Sequence, residues 1–217
     1  MNFFTLTARL FGLYQGLQGK SLSPSTVVRK LNQAIPFVEC SIGIQKTNNL
    51  GGFKIEGSYS PDLDRQNLKS IKIDILMNAR RKKLHFNKSD VTEERWFDLV
   101  ADLVSILGHE YVHLNQHRRR GWRRCKDYIC YNNDEMSIVK RYLGKPDEVD
   151  AYAFTLATER AVDIPEYATK LEDTTTYELY KTVFGEQDKT TQRLVRLSNK
   201  YFKRLEKQYN ETIRTYL

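Results

Sequence analysis

The sequence predicts an α+β fold in which a small, mainly antiparallel sheet packs on two helices and a helical extension follows. Three observations predict it. Short segments between residues 37 and 78 alternate apolar and polar positions, which is typical of strands. Apolar residues recur every three or four positions from Val91 to about His117, which indicates one long helix. Pro146 precedes two acidic residues and suits the first turn of another helix, which reaches about residue 160.

Residues 1–35 precede the sheet and are predicted to form two helices. The first has an apolar face formed by Phe3, Leu6, Leu10 and Leu13. Ser23 and Pro24 open the second helix, which continues through Ala34. The glycine-rich stretch 12–19 is expected to break the chain between the two helices.

The predicted sheet occupies residues 37–78. Its strands are assigned to Phe37–Gln45, Phe53–Glu56 and Ile71–Ile75. Residues 48–52, with the letters NNLGG, indicate a turn between the first two strands. Ser60–Gln66 contains a proline and two aspartates and is therefore expected to be a loop.

The long helix, residues 91–117, has signals at both ends. Asp90 and Glu93 resemble a capping box, and Gly121 suits the stop. Residues 118–145 are expected to connect this helix to the next one, which occupies residues 146–160.

The domain organisation follows from these elements. We expect one domain over residues 1–165 and a helical extension, residues 166–217, packed on it. The last helix of this extension has an apolar stripe formed by Leu194, Leu197, Tyr201, Leu205 and Tyr209.

The most informative motif lies on the long helix, where residues 109–113 read His-Glu-Tyr-Val-His. This H-E-x-x-H pattern places His109 and His113 one turn apart on one helix face, within reach of a single zinc ion. Glu110 is then placed to take a proton from a metal-bound water. The alternative is a pair of histidines that only satisfy hydrogen bonds on a core helix.

The third ligand decides the kind of metal site. His117 lies about 12 Å along the helix axis from His109, too far for both to hold one ion with bonds of about 2 Å. Glu148, in the first turn of the helix that starts at Pro146, is the better candidate; the alternative is a capping or surface carboxylate. A site of two histidines and one glutamate leaves a fourth position on Zn²⁺ for water or substrate.

These motifs resemble those of known metallopeptidases over roughly residues 90–160. H-E-x-x-H followed by E-x-x-A resembles the gluzincin arrangement, in which the downstream glutamate is the third zinc ligand. Glu148–Phe154 resembles a segment of the ImmA/IrrE-type metallopeptidases, and Pro146–Tyr152 resembles that of phage-encoded H-E-x-x-H peptidases. The resemblance implies a zincin-like fold whose edge strand, expected at Ile71–Met77, pairs with an extended substrate.

One position departs from these families. Tyr152 stands where they have an aspartate or asparagine that supports a histidine ligand, so that Asp150 or Asp147 could take this role instead. A tyrosine hydroxyl near the zinc could also stabilise an oxyanion. The sequence does not choose between the candidates for that role, which are Tyr128, Tyr131 and Tyr142.

The function that the sequence predicts is zinc-dependent hydrolysis of a peptide bond, with a protein or peptide as substrate. The alternative is a zincin-shaped protein that binds nucleic acid or belongs to a phage or mobile-element assembly, without turnover. Glu110 favours the enzyme, because a structural zinc site needs no base.

The charge of the chain indicates which partners it could bind, and its cysteine content indicates the compartment in which it is found. The net charge is +8, and basic residues cluster at 80–83 and 117–126, where a polyanion or nucleic acid could bind. The three cysteines favour a reducing compartment over a disulfide framework. Cys125 and Cys130 are expected to be free thiols, the alternative being a second zinc site. Cys40 has no flanking motif that would make it a ligand.

Neither a signal peptide nor a membrane span is predicted. The first ten residues lack a charged region before their apolar stretch, and no apolar run approaches 18 residues. We therefore expect a cytoplasmic protein, or one located in the host cytoplasm or the virion if a phage encodes it.

Overall fold

The structure is a computed structural model that describes residues 2–35, 39–48, 53–86, 91–123, 134–161 and 169–216. Over these residues the fold is α+β and mostly helical, so the predicted class is confirmed. The chain divides into two compact units, residues 1–110 and 111–217. The boundary between them lies within the helix Glu93–Arg119. None of the described helices is long and apolar enough to cross a membrane.

The described part of the chain forms the following helices and strands. The helices are α1 (Phe3–Leu17), α2 (Pro24–Ala34), α3 (Pro61–Arg65), α4 (Glu93–Arg119), α5 (Glu135–Leu143), α6 (Pro146–Ala161), α7 (Thr175–Phe184) and α8 (Lys189–Tyr216). The strands are β1 (Ser21–Leu22), β2 (Cys40–Thr47), β3 (Lys54–Tyr59), β4 (Ile71–Asn78) and β5 (Leu84–His85).

The predicted break between the N-terminal helices lies at the end of the glycine-rich stretch 12–19. Helix α1 runs through Gly12 and Gly16 and ends at Leu17, and Gly19 follows with φ +73°. A glycine inside a helix costs about 1 kcal/mol, and the buried face of α1 outweighs this cost; it consists of Phe3, Leu6, Leu10, Tyr14 and Leu17. Helix α2 begins as predicted, with the Ser23 hydroxyl accepting the backbone N–H of Thr26.

The main sheet has the strand order β2-β4-β3, with β2 parallel and β3 antiparallel to β4. The sheet is therefore mixed, not mainly antiparallel, and Ile71–Met77 forms the central strand, not the edge. The physical reason lies in the composition of β4. Its alternate side chains are all buried, so this strand gains most from neighbours on both sides; they are Ile71, Ile73, Ile75 and Met77.

Several short elements were not predicted. The expected loop Ser60–Gln66 contains α3, which the Ser60 hydroxyl caps. The expected connection 118–145 contains α5, where the Asp134 carboxylate accepts the backbone N–H of Ser137 at 2.7 Å. Strands β1 and β5 form a two-residue antiparallel pair, too short to leave a pattern in the sequence.

Helix α4 is found close to its predicted position. The Thr92 hydroxyl accepts the backbone N–H of Arg95 at its start, whereas the proposed capping residue Asp90 lies outside the described residues. Gly121 has φ +61° just after the helix ends, as a helix stop requires. The N-terminal part is anchored in the first unit, where the buried Trp96 indole N–H donates to the Leu10 carbonyl at 3.0 Å.

The second unit is a helical body in which α6 packs against α8. Helix α6 carries small buried residues on more than one side, including Ala151, Ala153 and Ala157, and these permit close approach of neighbouring elements. Buried residues from α5, α6, α7 and α8 share one core, which includes Leu143, Val149, Leu156, Tyr180 and Leu194. The chain segment after residue 169 thus packs on the helix that carries Glu148.

Candidate metal centre

Helices α4 and α6 bring the three predicted metal ligands together. The ligand atoms of His109, His113 and Glu148 all lie within 4.8 Å of one another, so the group could hold a metal ion. His109 and His113 are four residues apart on one continuous helix and therefore lie on the same face. Glu148 lies in the first turn of α6.

Gln116 on α4 and Arg120, which directly follows α4, fix the start of α6. The Arg120 guanidinium donates to both carboxylate oxygens of Asp147 at 2.5 Å. Gln116 donates to the Asp147 backbone carbonyl at 3.1 Å. Because Asp147 directly precedes Glu148, these contacts fix the position of Glu148 relative to His113. The residues of the pattern HxxxHxxQ, 109–116, thus lie on one face of α4 and Arg120 follows just beyond the end of the helix; of these residues only the histidines were predicted to matter.

The distance between two of the ligands suits a metal ion. The His113 Nε2 atom lies 3.5 Å from Glu148 Oε2, and each side chain is only 13% exposed. Two ligands of a tetrahedral zinc ion with bonds of about 2 Å are separated by about 3.3 Å. The pair therefore has nearly the spacing that one shared ion requires.

Gln116 fixes the position of the proton on the His113 ring. The Gln116 Nε2 atom faces two oxygens that can only accept, the carbonyl of Asp147 and the carboxylate of Asp150 at 3.0 Å. The Gln116 carbonyl oxygen consequently faces His113 Nδ1 at 3.1 Å. A carbonyl cannot donate, so Nδ1 carries the proton and Nε2 directs a lone pair towards Glu148.

A lone pair and a carboxylate oxygen that face each other could hold a cation between them. A doubly protonated imidazole could also bridge the pair, but charge-assisted N–H···O bonds are typically 2.7–2.9 Å long. The observed 3.5 Å between His113 Nε2 and Glu148 Oε2 is longer than that. Nitrogen and oxygen donors at this spacing fit a metal ion such as zinc.

Glu110 is buried beside the sheet, with 8% of its surface exposed. It follows His109 directly on α4, and its side chain lies against Gly57 of strand β3. A Cβ atom built on Gly57 would meet the Glu110 Cγ atom at 3.0 Å and its Oε1 atom at 3.1 Å. The same Cβ atom would meet the Ile106 Cγ2 atom at 2.4 Å, so a glycine is required where β3 passes Ile106 and Glu110. The sequence patterns did not predict this contact.

The other predicted site residues have varied environments. Asp150 accepts from Gln116 and, through Oδ1, from the Tyr201 hydroxyl at 3.1 Å. Tyr152 packs edge-on against the Tyr180 ring, with centroids 5.7 Å apart. Tyr142 lies on α5 with 47% of its surface exposed. Tyr128, Tyr131, Cys125 and Cys130 lie outside the described residues.

Two other predicted features lie elsewhere in the fold. Cys40 is buried in β2, and burial raises the pKa of its thiol to about 12, so that it stays protonated at neutral pH. In the basic cluster 80–83, Arg80, Lys82 and Lys83 are exposed. The cluster 117–126 is described only as far as Arg123, and polyanion binding at either cluster stays a prediction.

Comparisons of this chain with protein-family models, with characterised proteins and with solved structures find no significant match.

Proposed function

We propose that this chain is a zinc-dependent peptidase with a zincin-like fold. One observation supports it most: the His113 Nε2 atom and a carboxylate oxygen of Glu148 lie 3.5 Å apart, with His109 in the same group. A buried glutamate follows His109 directly in the sequence. A structural zinc site needs the ligands but not this glutamate.

Each residue has a distinct role in the proposed reaction. His109, His113 and Glu148 would hold Zn²⁺, which would supply the acidity that activates a water near neutral pH and the polarisation of a carbonyl group. Glu110 accepts the proton of the attacking water and returns it to the leaving amine. Because Glu110 is buried, its carboxylate lies in a low-dielectric environment. The proton passes directly between the water and this carboxylate.

Strand β3 is the edge at which an extended substrate pairs. Among the described strands it lies at one end of the sheet order, with β4 on one side only. The other end is β2, but Gly57 places β3 directly against Glu110. A peptide that adds to β3 as a further strand therefore runs beside the proposed base.

The test compares the wild type with Glu110→Gln on a mixture of unstructured peptides, with cleavage followed by mass spectrometry. The variant keeps the shape of the side chain but cannot accept the proton. We expect it to retain zinc and to lose at least about 100-fold in cleavage rate. Cleavage by the variant at the wild-type rate would sink the proposed mechanism.

A second outcome also contradicts the proposal. The wild type could hold zinc and cleave none of these peptides, yet bind DNA or RNA with a steep dependence on salt concentration. Such a result would favour the alternative, a zincin-shaped binding protein whose basic residues contact phosphates.

A further inference from the structure

A chain of hydrogen bonds leads from His113 away from the metal centre. The His113 Nδ1–H donates to Gln116, the Gln116 amide donates to Asp150, and the Tyr201 hydroxyl donates to the other oxygen of Asp150. This series of hydrogen bonds starts on α4, passes through α6 and ends on α8. Asp150, in the middle of this series, is one of the two residues that could support a histidine ligand in place of Tyr152.

The direction of each hydrogen bond in this series follows from the groups that can only accept. The carboxylate of Asp150 accepts from Gln116 and from Tyr201, and the Asp147 carbonyl also accepts from Gln116. The Gln116 amide must therefore turn its nitrogen to these oxygens and its oxygen to His113. One orientation of one amide thus holds the ring of His113 with its Nε2 lone pair towards the ligand group.

No other side chain of this size does the same. A glutamate at position 116 lacks the donor that Asp147 and Asp150 require. A leucine fills the space but neither donates nor accepts, and an asparagine is one methylene shorter. Hydrogen bonds of this kind fix the rotation and the tautomer of a metal-binding histidine.

The far end of the chain is held by packing. The Tyr201 ring stands edge-on against Phe154, with centroids 5.4 Å apart and planes at 80°. Burial raises the pKa of the Tyr201 hydroxyl, and the neighbouring Asp150 carboxylate raises it further, so the hydroxyl keeps its proton at neutral pH. Asp150 is thus held from α4 and from α8.

We propose that Gln116 is a positioning residue that presets His113 for metal binding, and that Tyr201 on α8 supports it through Asp150. This inference rests on the metal centre of the proposed function but not on peptide hydrolysis. It gives α8 a direct part in the affinity for the metal.

The first test measures zinc affinity of the full chain by competition with a chromophoric chelator. Gln116→Leu is expected to weaken binding about 10- to 100-fold, as loss of a hydrogen bond behind a ligand does. Tyr201→Phe keeps the ring and removes only the hydroxyl, so a smaller loss of about two- to fivefold is expected. Asn115→Leu is the matched control, because Asn115 lies on the same helix and donates only to the Tyr111 carbonyl.

The second test reads the ring of His113 directly. The chain has only four histidines, so nitrogen-15 spectra of the imidazoles can be assigned with single substitutions. In the metal-free wild type we expect the His113 proton on Nδ1, protected from exchange with water. In Gln116→Leu the same ring should exchange rapidly and populate both tautomers, while Asn115→Leu keeps the wild-type signals.

The two tests separate this inference from the proposed function. Wild-type zinc affinity in both Gln116→Leu and Tyr201→Phe overturns the inference, and so does a His113 proton on Nε2. Zinc binding that depends on Gln116, in a chain that cleaves no peptide, supports the inference and overturns the peptidase. Circular dichroism shows whether each variant is folded. If Gln116→Leu does not fold, the zinc affinity of Tyr201→Phe alone tests the inference.

Discussion

At the scale of single residues, Gly57 shows how closely the sheet and the proposed base are fitted. A Cβ atom at this position would lie 2.4 Å from the Ile106 Cγ2 atom and 3.0 Å from Glu110. Gly57→Ala must therefore displace Ile106, Glu110 or β3. We expect unchanged zinc content, a loss of at least about tenfold in peptide cleavage, and about 1–3 kcal/mol less stability.

A matched glycine provides the control for this prediction. Gly12 in α1 has nothing within 4 Å of a Cβ atom, so Gly12→Ala meets no neighbour. It should raise the free energy of unfolding by about 0.5–1 kcal/mol and leave cleavage unchanged. Chemical denaturation measures the stability of both variants, and a peptide assay measures their activity. Full activity in Gly57→Ala would contradict the prediction, because it would show that Glu110 tolerates the shift.

Residues with fixed chemistry were predictable from the sequence, and residues that act through contacts were not. The grouping of His109, His113 and Glu148 could be predicted because metal binding requires these residue types at fitting positions. Gln116 was missed because glutamine has many roles and its partners lie 31 and 34 residues further along the chain. Gly57 was missed because its neighbour Glu110 is distant in sequence.

At the scale of elements, helix α4 carries two aspartates one turn apart. Asp102 is exposed by surface area, but partial desolvation of its carboxyl group by the surrounding protein raises its pKa, and the nearby carboxylate of Asp98 raises it further. The folded chain thus binds this proton more tightly than the unfolded chain does, and ionisation of Asp102 opposes folding. The stability that the protonated form contributes is present at low pH and is lost as the pH rises through the pKa of the folded state.

Asp102→Asn removes this ionisation with little change in helix propensity. We expect the variant to be more stable than the wild type at pH 7, by about 0.2–0.5 kcal/mol as for a like-charge pair on a helix. The difference should vanish near pH 3, where the wild-type carboxyl is also protonated. Urea unfolding at the two pH values measures it, and an equal gain at both would contradict the assignment.

The helices were predictable as elements because their apolar periodicity is long. Helices α4 and α6 lie within two residues of their predicted limits at both ends. The strand order was not predictable, since alternation identifies a strand but not its neighbours. The position of β4 in the centre depends on pairings with β2 and β3 that only the folded chain shows.

At the scale of the whole molecule, metal binding should be coupled to stability. The ligands lie on two separate helices, so an ion bound by all three favours the folded chain over the unfolded one. At a free zinc concentration 1,000 times the Kd the gain is about 4 kcal/mol. Calorimetry should show a higher Tm with zinc for the wild type and a much smaller rise for Glu148→Ala; equal rises would place the ion elsewhere.

The central claim is that His109, His113 and Glu148 hold one metal ion. Elemental analysis of protein purified without chelator tests it most directly, on the wild type, Glu148→Ala and Glu110→Gln. The account predicts about one zinc per chain in the wild type and in Glu110→Gln, and most of it lost in Glu148→Ala. A wild type that holds no metal even after zinc is added, or a Glu148→Ala variant with unchanged zinc content, would contradict the account.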